Sequence, residues 1–185
     1  MRKLKLQMQQ TIDGFVGGSN GEQDWMEWNW GDDIKKYVSD ITAPVDTIIM
    51  GRKLAEGFIP YWAEAINNPE MASFAHKMHD TPKVVFSKTL GTSKWENTKV
   101  SNGDLEAEIS RLKNSPGSDI IMYGGANFVS NVIPTGLIDE YHLFVNPAAI
   151  GKGLSIFNEK TSLALVKSTN FECGIVALHY EPVKK

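Results

Sequence analysis

The chain is poor in the features that mark disulfide-bonded, membrane-spanning and secreted proteins. It has one cysteine, Cys173, among 185 residues, so no internal disulfide can form and a reducing compartment is expected. Nowhere do 18 apolar residues run together, and the amino terminus alternates polar with apolar residues instead of carrying the apolar stretch of a signal peptide. These absences predict a cytoplasmic, soluble protein without a membrane partner.

An excess of charge of one sign is also missing. The 19 Lys and Arg residues face 22 Asp and Glu residues, the net charge is −3, and no long basic run occurs. Nucleic acid is therefore not expected as a main partner, whereas a local basic spot for a small phosphorylated ligand stays open. The length and the 42% of hydrophobic residues fit one globular domain over residues 1–185.

The common catalytic motifs are absent as well. The sequence contains no G-x-x-x-x-G-K-[ST], no G-x-G-x-x-G and no G-x-S-x-G, which argues against a P-loop NTPase, an ordinary Rossmann dehydrogenase and a serine hydrolase. His76 and His79 lie three residues apart on a predicted helix, but no third ligand is spaced to join them, so no metal site is expected. Cys173 is expected to be buried in a C-terminal hairpin.

Short apolar segments alternate along the chain with amphipathic ones. Helical spacing predicts helices over Asp32–Ile41, from Arg52 onward, and over Asn68–Met78, Asp104–Lys113 and Ala126–Ile133. Strand patterns occur at Leu4–Ile12, Val45–Met50, Lys83–Ser87, Thr98–Val100, Asp119–Tyr123, Asp139–Pro147, Leu163–Glu172 and Gly174–Tyr180. This alternation predicts a three-layer α/β fold: a mostly parallel mixed sheet, helices on both faces and a C-terminal antiparallel hairpin.

Three of the predicted strands end in sequences that suit an anion. Gly51-Arg52-Lys53, Ser87-Lys88-Thr89 and Gly124-Gly125 each follow an apolar run. In sheets of this kind ligands bind beyond the carboxyl ends of the strands, so the three segments should share one edge. Glycine leaves backbone N–H groups bare at a helix start, and together with the cations this favours a pyrophosphate and a further phosphate. The alternative is that the glycines only permit tight turns and the cations are solvated.

An aromatic segment and an acid are candidates for the substrate side of such a site. Trp25, Trp28 and Trp30 follow the glycine-rich segment 14–21. They are predicted either to wall a flat aromatic substrate, with that segment as a lid, or to cover the end of the sheet. Asp13 follows the first strand and either faces the pocket or initiates its turn through the Asp-Gly pair. Both alternatives stay open from sequence alone.

Five segments resemble a known superfamily in their order and over nearly the whole chain. They read TIDGFVGG, TIIMGRKLAEGF, VVFSKTL, IIMYGGANFVSNVI and GLIDEYHLFVNPAAIGKGLSIF. They are similar to the dihydrofolate reductase superfamily, and most of all to the branch with the reductase domain of the bacterial riboflavin-pathway deaminase/reductase. The resemblance implies that NADPH lies across the carboxyl edge of the sheet and that the protein is a homodimer.

The resemblance also implies which residues hold the cofactor. By position, Gly51, Arg52 and Lys53 would hold its phosphates, Ser87 and Lys88 would lie near the adenosine phosphate, and Gly124, Gly125, Ala126 and Asn127 would close over the pyrophosphate. The double glycine would let the backbone approach the dinucleotide without a Cβ in the way. A positive φ at Gly125 is a second expectation for this turn.

Several positions depart from the dihydrofolate reductase pattern. Leu54 stands where a threonine usually follows the Gly-Arg pair, Lys35 falls where the first helix should offer a carboxylate to the pterin, and Phe144 and Val145 replace a strand threonine. We therefore expect an NADPH-dependent reductase of a small pteridine- or aminopyrimidine-like substrate. A dihydrofolate reductase proper and a non-catalytic dinucleotide-binding module remain alternatives. The candidate proton donors, besides solvent, are Asp13, Asp32 and Asp33.

Overall fold

The structure is a computed structural model that describes residues 1–183. Its strands are β1 (Leu4–Gln10), β2 (Val45–Gly51), β3 (Lys83–Phe86), β4 (Thr98–Ser101), β5 (Asp119–Tyr123), β6 (Glu140–Val145), β7 (Leu163–Asn170) and β8 (Val176–Pro182). Its helices are α1 (Asp32–Thr42), α2 (Arg52–Ala65), α3 (Ala72–Asp80), α4 (Leu105–Asn114) and α5 (Ala126–Val132), and a 3-10 turn follows at Ile133–Thr135.

All eight strands form one sheet in the order β4-β3-β2-β5-β1-β6-β8-β7. The six strands from β4 to β6 are parallel, and β8 and then β7 continue the sheet antiparallel. The predicted three-layer α/β fold with a mostly parallel sheet and a C-terminal hairpin is confirmed. None of the helices within residues 1–183 has the length and apolar character needed to cross a bilayer.

Helices cover both faces of the sheet because its central strands are apolar on both faces. Leu4, Leu6, Ile120 and Met122 pack toward α4 and α5, whereas Ile121, Ile48 and Met50 pack toward α2 and α3. A third cluster lies beneath α1, where its residues Ile34 and Val38 meet Phe144, Phe171 and Ile175. Burial on both faces is what a parallel strand requires, and it explains the continuous apolar runs.

Several element ends differ from the prediction. Strand β6 ends at Val145 rather than at Pro147, because proline has no N–H for the ladder. Strand β1 ends at Gln10, and the next residue but one, Ile12, donates its N–H to Ala148 O at 2.8 Å. The helix expected from Asn68 begins at Ala72, since the intervening residues form a turn.

Two neighbouring central strands, β1 and β5, are followed by helices that lie on opposite faces of the sheet. After β1 it continues through α1, which belongs to the cluster on one face, and after β5 it continues through α5 on the other. A crevice forms beyond the carboxyl ends of such a strand pair, and this is where open α/β sheets bind ligands. The fold therefore places the ends of β1 and β5 at the expected binding position.

Candidate cofactor and substrate site

The glycines at the ends of β2 and β5 meet at the carboxyl edge of the sheet. Gly51 donates its N–H to Gly124 O at 3.1 Å. Gly51 directly precedes α2 and Gly125 directly precedes α5, and within residues 1–183 no side chain caps the first turn of either helix. A Cβ on Gly51 would lie 2.8 Å from the Cβ of Phe128, so packing of α5 requires glycine there.

Gly125 differs from Gly51, because packing does not require glycine at this position. A Cβ built on it would meet no described atom within 4 Å, so the position faces open space. Its φ is −77° and its ψ is 177°, an extended conformation open to any L-residue. The expectation of a positive φ at this turn was therefore wrong. The peptide bond between Gly124 and Gly125 is cis.

Two of the cations expected near phosphate, Arg52 and Lys88, have partners that they can exchange. Arg52 forms an ion pair with Glu56 one helical turn away, at 2.5 Å, with about a third of its side chain exposed. Lys53 is exposed, and the exposed Lys88 donates to Gly103 O at 3.1 Å. An exposed ion pair of this kind is worth about 0–1 kcal/mol, so turning Arg52 toward a bound phosphate costs little.

Ser87 shapes the loop that carries Lys88. Its hydroxyl oxygen accepts hydrogen bonds from Thr89 N at 3.1 Å and from Leu90 N at 2.9 Å. The hydroxyl proton takes no part in these two bonds and is able to donate to an anion. Ala126 is half-buried and Asn127 exposed in the first turn of α5, next to Gly125.

The tryptophan segment, residues 25–30, lies beside the end of β6. Trp30 stacks on the buried Phe144 with 6.5 Å between ring centroids, and Trp28 stacks on Trp30 at 6.0 Å. Trp28 remains 64% exposed and presents a flat aromatic face, while Trp25 is half-buried. Trp30 therefore covers the end of the sheet, and the exposed face of Trp28 stays available for the predicted substrate wall.

Asn146 fastens this segment to the sheet, and the sequence analysis did not single it out. It is fully buried directly after β6, accepts a hydrogen bond from Glu27 N at 2.8 Å and donates to Gln9 Oε1 at 2.7 Å. The signal was a polar residue in an apolar run, immediately before Pro147. Buried amides in such places usually satisfy backbone groups of a neighbouring segment.

Of the three acids proposed as proton donors, Asp13 lies in a loop, apart from Asp32 and Asp33. Asp13 accepts hydrogen bonds from Thr11 Oγ1 at 2.6 Å and from Gly151 N at 2.7 Å, and the bond from Thr11 is the main reason why the pKa of this carboxyl is lowered. A carboxylate held in this way joins two loops and stays ionised, which suits a turn better than a general acid.

The other two acids lie in the first turn of α1. Asp33 accepts hydrogen bonds from Ile34 N at 2.7 Å and from Glu172 N at 3.0 Å, and so ties α1 to the C-terminal hairpin. Asp32 is exposed. Asp13 and Asp33 therefore both accept hydrogen bonds from backbone amides.

Other expected features fall outside this crevice. His76 is exposed and lies 3.5 Å from Asp80, as a surface histidine would. Cys173 is half-buried rather than fully buried. A wide depression of about 560 Å³ lies at the opposite edge of the sheet, lined in part by Arg2, Asp46 and Lys77. Arg2 and Asp46 form an ion pair in that depression.

The strand order and the bare glycine edge define a dihydrofolate reductase-like fold. A family model described as the RibD C-terminal domain matches residues 2–177, and the chain belongs to that family. An uncharacterized protein of Bacillus subtilis (strain 168), YyaP, is 32% identical over 97% of this chain and 94% of its own length.

Solved structures show the same fold at low sequence identity. A Shewanella sp. PV-4 protein that is provisionally assigned to riboflavin biosynthesis has a TM-score of 0.73 and 18% identity, with 100% of both chains covered. A pyrimidine reductase-like protein of Corynebacterium diphtheriae has a TM-score of 0.64 and 11% identity, over 100% of this chain and 93% of that one. The fold is therefore that of a RibD-like reductase domain.

Proposed function

We propose that this protein is an NADPH-dependent reductase that transfers hydride to a small pteridine- or aminopyrimidine-like substrate. The observation that carries the proposal is the open backbone at Gly125, beyond the crevice formed by β1 and β5. A dinucleotide can approach that backbone without meeting a side chain. Membership of the RibD C-terminal domain family supports a reductase over other dinucleotide-binding classes.

The phosphates would lie along the ends of β2, β5 and β3. The first turn of α2 offers backbone N–H groups and the positive end of the helix dipole, and Arg52 and Lys53 add charge at the same place. Lys88 and the hydroxyl of Ser87 would hold the additional phosphate that distinguishes NADPH from NADH. Each charge-assisted hydrogen bond to it contributes about 1.5–3 kcal/mol.

The substrate would lie at the ends of β1 and β6. When bound, the cofactor supplies the hydride, so the protein itself has to orient two flat rings and exclude water. Trp28 and Trp30 offer the flat wall next to Phe144, and Asn146 holds their segment in place through Glu27 N. A proton from solvent or from Asp32 would complete the reduction.

The proposal is tested by following the loss of NADPH absorbance with purified protein and a panel of pteridines and aminopyrimidines. We expect steady oxidation with at least one member and none without substrate. NADPH that raises the melting temperature but is never oxidised with any member would contradict the reductase. An absence of any NADPH binding would contradict the cofactor assignment as well.

A non-catalytic dinucleotide-binding module is the alternative that a specific observation favours. The carboxylates of Asp13 and Asp33 accept hydrogen bonds from backbone amides, which leaves few groups for proton transfer. A dihydrofolate reductase proper fits less well, because Lys35 is exposed on α1 and the buried Phe144 occupies the neighbourhood of the pterin-binding threonine. The substrate panel separates all three.

A further inference from the structure

A row of polar side chains, called here the seam, crosses the sheet beneath α1, next to the apolar cluster under that helix. It runs over β1, β6 and β8, where the strand register places Gln7 beside His142 and His142 beside His179. Glu140 lies two residues before His142 on the same strand and therefore on the same face. Glu140 and His142 are buried, and the side chain of His179 is 18% exposed.

The carboxylate and the two imidazoles of this seam converge. Glu140 Oε2 lies 3.3 Å from His142 Nε2 and 4.0 Å from His179 Nε2. The two imidazole rings stack with 4.4 Å between their centroids and 16° between their planes. One potential ligand atom from each of the three residues lies within 4.8 Å of the other two.

We propose that Glu140, His142 and His179 form a binding site for a divalent transition-metal ion, with Zn²⁺ as the best match. Two histidines and a glutamate are an established ligand set for zinc, with a fourth position left for water. Ligand atoms that share a zinc ion at about 2.0–2.1 Å lie about 3.3 Å apart in a tetrahedral arrangement. The separations of 3.3 and 4.0 Å from Glu140 Oε2 are close to this value, and the two stacked rings would have to turn so that both Nε2 lone pairs point at the ion.

Tyr37 provides the support that a metal-binding histidine requires. Its hydroxyl lies 3.2 Å from His142 Nδ1. If Nε2 binds the metal, Nδ1 carries the proton and donates it to the tyrosine oxygen, which fixes both the tautomer and the ring. Tyr37 comes from α1 and its ring also packs edge-on against Phe144 and Phe171, so its position is determined by the core.

Two buried polar atoms of the seam have no hydrogen-bond partner among the described residues. These are His179 Nε2 and Gln7 Oε1. A buried polar atom without a partner costs about 1–3 kcal/mol. A metal ion bound to Nε2 would remove that cost for His179, and the amide oxygen of Gln7 stands next to His142 in the register, on the side of β1.

Two lysines lie beside the proposed site. Their positive charges lower its affinity for a metal ion but leave Oε2 of Glu140 available. Lys3 Nζ binds the other carboxylate oxygen of Glu140 at 2.5 Å, which leaves Oε2 for a metal, and its side chain is 55% exposed. Lys5 is turned away, since its ammonium pairs with Asp119 at 2.7 Å. Glu140 thus keeps one oxygen directed at the two imidazoles.

The proposed metal site is separate from the cofactor and substrate site. His142 lies three residues before the carboxyl end of β6, which corresponds to about 10 Å along the strand. A metal there would fasten β8, and with it the C-terminal hairpin, to β6. The inference therefore does not depend on the proposed reductase activity.

The test is titration of metal-free full-length protein with Zn²⁺ by calorimetry and with Co²⁺ by visible absorption. We expect one metal ion per chain at protein concentrations of about 10 µM, with Co²⁺ bands typical of nitrogen ligation. His179→Gln and Glu140→Gln should each weaken binding at least tenfold. Tyr37→Phe, which removes only the supporting hydroxyl, should weaken it by about tenfold.

The chain offers a matched control in its other two histidines. The double variant His76→Gln/His79→Gln removes two exposed or half-buried imidazoles from α3 and should bind Zn²⁺ like the wild type. Loss of binding in this control would place the metal on the surface of α3 and overturn the proposal. So would a wild-type protein that binds neither ion.

Circular dichroism and melting curves establish that each variant is folded. If His179→Gln does not fold, the wild type decides the question by NMR, because Co²⁺ bound at the proposed site must shift and broaden the ring signals of His142 and His179. Shifts confined to His76 and His79 would contradict the proposal.

Discussion

Replacing Gly125 with valine should remove cofactor binding while leaving the fold intact. The valine Cβ would project into space that holds no described atom within 4 Å, and φ of −77° with ψ of 177° suits a β-branched residue. The apo protein should therefore lose little stability, within about 0.5 kcal/mol for an open surface position. The same open space is where the pyrophosphate would lie.

The size of the expected effect follows from mass action. NADPH at a hundredfold excess over its dissociation constant stabilises the wild type by about 2.7 kcal/mol. For a chain of this length that corresponds to a rise of about 5–10 °C in melting temperature. In Gly125→Val the rise should fall to nearly zero, whereas the melting temperature without NADPH should stay close to that of the wild type.

The control is Gly57→Val, because Gly57 is also open to space but lies on the exposed face of α2. It should keep the full NADPH-dependent rise. A folded Gly125→Val protein that NADPH stabilises as much as the wild type would show that the double glycine is only a tight turn. The assignment of Gly125 to the pyrophosphate would then be wrong.

Four further outcomes are expected. NADPH should bind more tightly than NADH, and Lys88→Gln should narrow the difference about tenfold or more, whereas equal dissociation constants in the wild type would contradict the phosphate assignment. Dihydrofolate should be a poor substrate, and an efficiency above ~10⁴ M⁻¹s⁻¹ would refute this. Light scattering at micromolar concentration should give the mass of a homodimer, the commonest symmetric oligomer, and a monomer mass would refute it. Burial raises the pKa of Asp46, but hydrogen bonds from Ser118 N and Thr47 and the ion pair with Arg2 outweigh it and hold the pKa below the ordinary value for an aspartate. Asp46→Asn should therefore destabilise the protein above that ordinary pKa and progressively less as the pH falls below it, as acid unfolding curves would show.

Local chemistry made the central strands predictable from the sequence. Ile48–Met50 and Ile120–Met122 are buried on both faces, and that burial demands the continuous apolar runs that mark β2 and β5. Gly51 and Gly124-Gly125 could be placed at strand ends for the same local reason. The order of the strands, such as the position of β5 between β2 and β1, depends on contacts between distant segments. It cannot be predicted from any short stretch of the sequence.

The features that the sequence analysis missed depend on strand register. His179 was not linked to Glu140 and His142, because their proximity exists only once β8 pairs antiparallel with β6 and sets His142 opposite His179. The conformation of Gly125 was also beyond reach, since glycine is compatible with both signs of φ. Asn146 offered a signal in its polarity, but its partner Glu27 lies 119 residues away.

Two contacts hold the tryptophan segment on the sheet, and neither of them uses the exposed Trp28. Among the described contacts, the segment reaches the sheet through Glu27 N on Asn146 and through the ring of Trp30 on Phe144. The first of these uses a backbone group, which every residue except proline can supply. Substitutions at the exposed Trp28 should thus change the proposed substrate wall without disturbing the sheet.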